Sequence, residues 1–425
     1  MRRLTLLTLL LATACKADPH AWDPDRVARV VTSADGDVGS VVDGNNTFTW
    51  DMYGQLAAGD SNLFFSPLSV AAALGMTSAG VAGDTLTQMT DSLHVGLDPA
   101  AWHPAFGALT DDLNGAKKRG YTLAVANQLF GQDGTPWAAP FLATCADDWK
   151  APLESVDFMA DPEAARGTVN TWVSDHTDAK IPELIPQGVI TTDTRLVLAN
   201  AITFVAKWWT EFDPAETRKS GFTRLDGSIV DTDMMWLNLE DIEDARIRIT
   251  TADDASIVRL PYEDDEVAAY LVIPFLDDGL PTVEAQLDAA TFDGWVAPIA
   301  GAYSEDGERE GLIGLPKLTM RWHSSLVPAL NTLGMTDLFD DQLADLSPMA
   351  DDSAADDFYV ADVIHEAWIQ VDEHGTEAAA ATAVVVNDKG GPMETVANHP
   401  FLFVIRDELT GSVLFVARVM DPTAG

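Results

Sequence analysis

The apolar positions fall into two regimes along the chain. In the N-terminal half they recur at helical spacing: in FTWDMYGQLA, Phe48, Met52, Tyr53 and Leu56 share one helix face. Residues 16–44, rich in Asp, Gly and small side chains, read as a tether leading into the fold, which becomes legible from Asn46. Further on, Ser66 precedes Pro67 at the head of SPLSVAAALGMTSAG, which ends in glycine. A serine cap, a proline at the first helical position and a terminal glycine predict a sharply bounded helix, and its Ala-rich, apolar composition predicts burial.

The central and C-terminal runs RLVLANAITFV, SIVRLPY, VAAYLVIP, FYVADVIHEAWIQV and FLFVIRD are rich in β-branched and aromatic residues and predict strands. Near-continuous apolarity in LVLANAITFV and FLFVI predicts cover on both faces. In the run after Tyr359, the residues Val363, His365, Ala367, Ile369 and Val371 share one face. Helices early and strands late predict an α+β fold, with helices packed on large mixed sheets. No Pro/Gly/Ser-rich linker or internal repeat divides the 425 residues, so one domain is expected over residues 45–425.

Composition narrows the partners. Sixty-seven Asp and Glu against 25 Lys and Arg give a net charge of −42, which repels phosphate backbones and makes nucleic acid an unsuitable ligand. The acidic residues sit in short clusters, such as Asp264, Asp265 and Glu266 or Asp351 and Asp352, as solvated surface does. Steering of a basic target protein is the sharper alternative to simple solubility. Residues 1–15, MRRLTLLTLLLATAC, combine two arginines, an apolar run and small residues before a cysteine, which is the pattern of an export signal. The segment Ala12–Cys15 resembles a bacterial lipobox, with Ala12 where leucine is commoner. That resemblance implies a signal peptide over 1–14, lipidation of Cys15 and membrane attachment through the lipid alone; a plain signal peptide and a soluble secreted product is the alternative. A lipidated Cys15 leaves Cys145 without a disulfide partner, and Cys145 is expected as a small core residue.

Enzyme signatures are missing. There is no G-x-S-x-G elbow, P-loop or Rossmann glycine pattern, and His365-Glu366 has Ile369 where a zinc-binding helix needs its second histidine. A hydrolase with a spatially assembled Ser/His/Asp site is the remaining catalytic alternative. No cofactor and no metal is expected.

From Glu373 the chain reads EHGTEAAAATAVVVNDKGGPMETVANHPFLF, where helix propensity in EAAAATA conflicts with strand propensity in AVVV. As a strand it would place Thr376, Ala378, Ala380, Thr382, Val384 and Val386 on one face, all small or β-branched, with Glu377 opposite. An exposed Ala-rich helix or flexible loop fits the composition as well. The segment resembles the reactive-centre loop of serpins. Glu373, Gly375, Thr376, Ala378, Ala379, Ala380, Ala381 and Thr382 match that family's hinge without a gap, and the loop spans about 373–398. NLFFSPLS from Asn62, NAITFVAKWWTEF from Asn200 (with Val205 and Ala206 in place of the family's usual Lys-Gly), LPYEDDEVAAYLVIP, LPKLTM, ADLSPM, HPFLFVI and VARVMDP extend the resemblance over residues 45–422.

The resemblance implies a monomeric suicide substrate of a serine protease rather than an enzyme. It places the scissile bond at Lys389–Gly390, which suits a trypsin-like protease, although Asp388 disfavours some members of that class. It puts Ser66, Ser69, Asn200 and His365 in the polar shutter beneath the opening point of the central sheet, and Trp208 in the breach above. Cleavage is then expected to let the loop insert from Thr376 onward and hold the protease in a covalent 1:1 complex. Thr376 is expected to stand largely exposed until that happens. A non-inhibitory serpin with a chaperone, carrier or storage role is the alternative.

Overall fold

The N-terminal helix begins earlier than its apolar pattern suggests. The computed structural model describes residues 31–32, 35–115, 121–242, 246–300, 311–351, 358–376 and 394–424. In it α1 spans Gly36–Leu56, so the tether expected through residue 44 gives way to the fold at 36. Val38, Val41 and Val42 continue the buried stripe towards the N-terminus. The stripe is hidden in the sequence because Asn45 and Asn46, though polar, are buried too. Asn46 Nδ2 donates to the Gly411 carbonyl at 2.9 Å, and its Oδ1 accepts from the Val413 amide at 2.9 Å. Helix α2 (Pro67–Ser78) follows the expected bounds: Ser66 caps it by accepting from the Ser69 amide at 3.2 Å, and all twelve residues are buried.

Among the described residues, three sheets carry the rest. The central one is ordered β11 (Leu318–Ser325), β12 (Ile364–Asp372), β13 (Gly375–Thr376), β4 (Leu196–Lys207), β2 (Tyr121–Gln132), β3 (Glu154–Val156). A second runs β1 (Leu63–Phe65), β16 (Val413–Val419), β15 (Phe401–Asp407), β9 (Val267–Pro274), β8 (Ala255–Pro261), β7 (Arg248–Thr251). The third, β14 (Glu394–Val396), β10 (Leu312–Pro316), β6 (Ile229–Asn238), β5 (Arg218–Thr223), receives the chain again at Glu394. Helix α2 lies between β4 and β16 and so joins the first two sheets. Helix α3 (Pro162–His176) covers the other face of the central sheet, where Val169 and Val173 bury Phe130, Ala199 and Ala201. This is the α+β fold expected.

Two strand expectations need correction. The run from Tyr359 becomes strand only at Ile364, and within β4 the residues Leu196–Leu198 are half-buried rather than covered on both faces. β12 begins where its ladder to β11 begins, at Ile364↔Ser325, and among the described residues the start of β4 has no ladder partner on its β12 side until Ala201. Cys145 is fully buried, and that burial pushes its thiol up to about 12, so it packs as an inert core residue. Among the described residues no helix is long and apolar enough to cross a membrane.

The Asn46 clip gives a direct test. Asn46→Ala strands a buried amide and a carbonyl of the β15–β16 turn and should cost about 1–3 kcal/mol in denaturant unfolding. Thr47→Ala, which removes only an exposed bond to the Asp43 carbonyl, should stay within about 0.5 kcal/mol.

Candidate functional site

The site is the line along which β4 and β12 separate. The two strands run parallel and pair directly only at Glu366↔Ala201 and Ala367↔Ile202. Above these pairs they are held apart by β13. After a turn at Glu373 and His374 the chain folds back antiparallel to β12, with Val371↔Thr376 and Asp372↔Gly375. On its other side β13 pairs antiparallel with β4, through Gly375↔Lys207 and Thr376↔Ala206. Gly375 and Thr376 therefore lie in the sheet, between β12 and β4.

Several contacts fix this wedge. The Trp208 amide donates to the His374 carbonyl at 2.9 Å, the Phe212 amide to the Glu373 carbonyl at 2.8 Å, and Trp208 Nε1 to the Asp372 carbonyl at 3.0 Å. Trp208 stacks on Tyr262 with ring centroids 4.5 Å apart, and the Tyr262 hydroxyl meets Thr376 Oγ1 at 2.8 Å. Thr376 is thus 1% exposed, contrary to expectation: its hydroxyl has a buried partner, and its side chain already points into the core. Glycine is required beside it. A Cβ on Gly375 would lie 2.0 Å from the Ala206 carbonyl oxygen, and its φ of +154° disfavours any other residue. Glu373 is buried as well, accepting from Lys317 Nζ and from Thr217 Oγ1, each at 2.7 Å. Burial works to raise its pKa, but the hydrogen bonds from Lys317 and Thr217 and the Lys317 charge outweigh it, so the carboxyl titrates below its ordinary range.

Below the wedge, the side chains of Ser66, Ser69, Asn200 and His365 come together, all buried. The Ser66 amide donates to His365 Nε2 at 3.2 Å, which leaves the proton on Nδ1 to reach Asn200 Oδ1 at 3.1 Å. Asn200 Nδ2 donates to the Ser69 carbonyl at 2.7 Å and to Asn127 Oδ1 at 2.6 Å, while Ser66 Oγ donates to the Leu414 carbonyl at 2.7 Å. The Asn200–His365 bond crosses from β4 to β12 beside the two direct pairs. Burial, with His323 adding to it, pushes His365 down to about 3, so the imidazole is neutral. Asn127 and Tyr262 were missed in the sequence reading. An asparagine among core-facing positions of β2 was the available signal for the first; Tyr262 had none beyond its place in LPYEDDE.

Ala378–Ala381, Thr382, Lys389, Gly390 and Cys15 lie outside the described residues.

A family model described as serpin (serine protease inhibitor) matches residues 43–422. The chain belongs to the serpin family. Among curated relatives, this serpin is 35% identical to leukocyte elastase inhibitor of Bos taurus, over 89% of the chain and 98% of the relative. It is 34% identical to serpin B8 of Homo sapiens, at the same coverages, and 30% identical to antithrombin-III of Mus musculus, over 89% of the chain and 81% of the relative. Among solved structures, uncleaved ovalbumin superposes with a TM-score of 0.76 at 22% identity, covering 90% of this chain and 100% of that one, which speaks for the fold alone.

The neutral His365 makes a pH prediction. Its folded pKa lies below the ordinary 6.5, so the unfolded chain takes up the proton first, and stability falls as pH drops from 6.5 towards about 3. Between about pH 6.5 and about pH 5, wild type should lose on the order of 1.5 kcal/mol more than His365→Gln, measured by denaturant midpoints at each pH.

Proposed function

We propose that this serpin inhibits a trypsin-like serine protease by inserting its cleaved loop between β4 and β12. The observation that carries the reading is the register of β13. Extending the pairs Thr376↔Ala206 and Thr376↔Val371 residue by residue puts Ala378 between Phe204 and Ile369, and Ala380 between Ile202 and Ala367. Those last two residues pair directly in the uncut protein, so one strand fits the gap without a slip. Continued further, the register brings Thr382 between Asn200 and His365, then Val384 between Leu198 and Val363, and Val386 between Leu196 and Ala361.

Each arriving side chain suits its place. The small Ala378 and Ala380 meet a packed core. Thr382 separates Asn200 from His365, and its hydroxyl can both accept from Nδ1–H and donate to Oδ1, which spares two buried groups the cost of losing a partner. Val384 and Val386 meet aliphatic walls. Insertion of the cleaved loop as a strand is established chemistry for serpins. Here the protease serine attacks the Lys389 carbonyl, the bond to Gly390 opens with the new amine leaving, and insertion outruns hydrolysis of the acyl-enzyme. Lysine at the scissile position suits a specificity pocket ending in a carboxylate. The small hinge residues favour this over a chaperone, carrier or storage role.

We further propose that the protein acts outside the cell, held at a bacterial envelope by lipid on Cys15. Cys15→Ser should then move it from the membrane to the soluble fraction; unchanged fractionation, or a mature N-terminus other than Cys15, refutes the anchor.

The inhibitory reading is tested with Thr376→Arg. Wild type mixed with trypsin should give a covalent complex that survives a denaturing gel, at near-equal stoichiometry. Arginine at 376 places an unpaired charge against Tyr262, at a cost of several kcal/mol, so the mutant should be cut and released untrapped and should also lose stability before cleavage. Glu377→Arg, on the opposite strand face, should still trap. Equal trapping by Thr376→Arg and wild type would sink the mechanism.

A further inference from the structure

Beyond the Asn200–His365 bond, the start of β4 and the approach to β12 leave between them a cavity of about 360 Å³. Its walls are chiefly aliphatic, with Val70 and Leu74 of α2 beneath, Leu196 and Leu198 on one side, and Val360 and Val363 on the other. The volume lies in the range of small-molecule sites. We propose that this cavity binds a neutral aliphatic molecule with one polar end, of the medium-chain alcohol class, and that occupancy turns the inhibitor into a substrate. The proposal rests on the insertion reading above, because the ligand would sit where Val384 and Val386 arrive.

The chemistry of the ligand follows from the two ends of the cavity. At the inner end, Asn200 and His365 spend their hydrogen bonds on each other, on Ser69, on Asn127 and on the Ser66 amide, so an entering molecule needs no polar group there. At the rim, Tyr359 and Val189 are 47% and 43% exposed and offer an apolar approach. Arg195 stands there with Asp193 and Asp362. Arg195 Nη1 donates to the Thr192 and Thr194 carbonyls at 2.9 and 3.1 Å, and Asp362 accepts from Ser325 Oγ at 2.5 Å. A rim of mixed sign on a chain of net charge −42 gives an anionic headgroup no advantage, and an aliphatic interior gives a cation none.

The test uses 1-decanol, with decanoate and decylammonium as charged counterparts, on the full chain. Decanol should raise the Tm of the uncut protein, the two ions should do so far less, and Leu198→Trp, which fills the cavity, should abolish the shift. Protein cleaved beforehand in its loop should show no decanol shift, its cavity being taken by Val384 and Val386. With saturating decanol, the ratio of cleaved to trapped inhibitor should rise several-fold, with trypsin's activity on a small substrate as control. A shift that persists in the cleaved protein, equal binding of decanoate, or an unchanged ratio would overturn the proposal. Failure of wild type to trap trypsin without decanol would instead refute the insertion reading, while the Tm shift of the uncut protein tests the site with no protease present.

Discussion

Two parallel strands joined at only two pairs, Glu366↔Ala201 and Ala367↔Ile202, are the constraint on which the rest of the structure turns. A strand pair with so short a ladder cannot hold a sheet closed by backbone bonds alone. The closure is shared with the side chains beneath it, where Asn200 reaches His365 and both are tied to α2 through Ser66 and Ser69. Because α2 is buried along its whole length between the central and second sheets, the polar cluster has a rigid base. Opening the sheet therefore means breaking a few specific hydrogen bonds rather than deforming a core.

The upper end is biased the other way. Glu373, anchored by Lys317 and Thr217, and Gly375, fitted against the Ala206 carbonyl, keep the strands apart by one strand's width. The molecule is thus poised between a wedge that opens the sheet and a latch that closes it. The tuning of its ionisable groups agrees: Glu373 is held charged where charge binds the wedge, and His365 is held neutral where a second ring proton would face the Ser66 amide.

Much of this was legible in the sequence, and the limits were physical. Ser66–Pro67 marked α2 because capping and proline act locally, and the alternation of Val363, His365, Ala367, Ile369 and Val371 marked the core face of β12 because strand period is local too. The extent of α1 was obscured by Asn45 and Asn46, whose partners lie across the molecule in the β15–β16 turn. The burial of Thr376 was likewise invisible, since it depends on Tyr262 and on the splayed strands, both remote in sequence. Leu196–Leu198 read as a fully covered strand because composition reports apolarity and not whether a neighbour is present.

That last feature has a cost for the protein as a material. Through Leu196–Asn200, β4 is paired to β2 on one side, while among the described residues its other side has no ladder partner until Ala201. The central sheet therefore carries an unfinished edge in its interior as well as the two at its margins. Strand edges accept extended chain from any source, including another copy of the same molecule. The gap between β4 and β12 is therefore an invitation to intermolecular pairing, so heat or crowding that loosens the Asn200–His365 latch favours ordered polymers over a random coil.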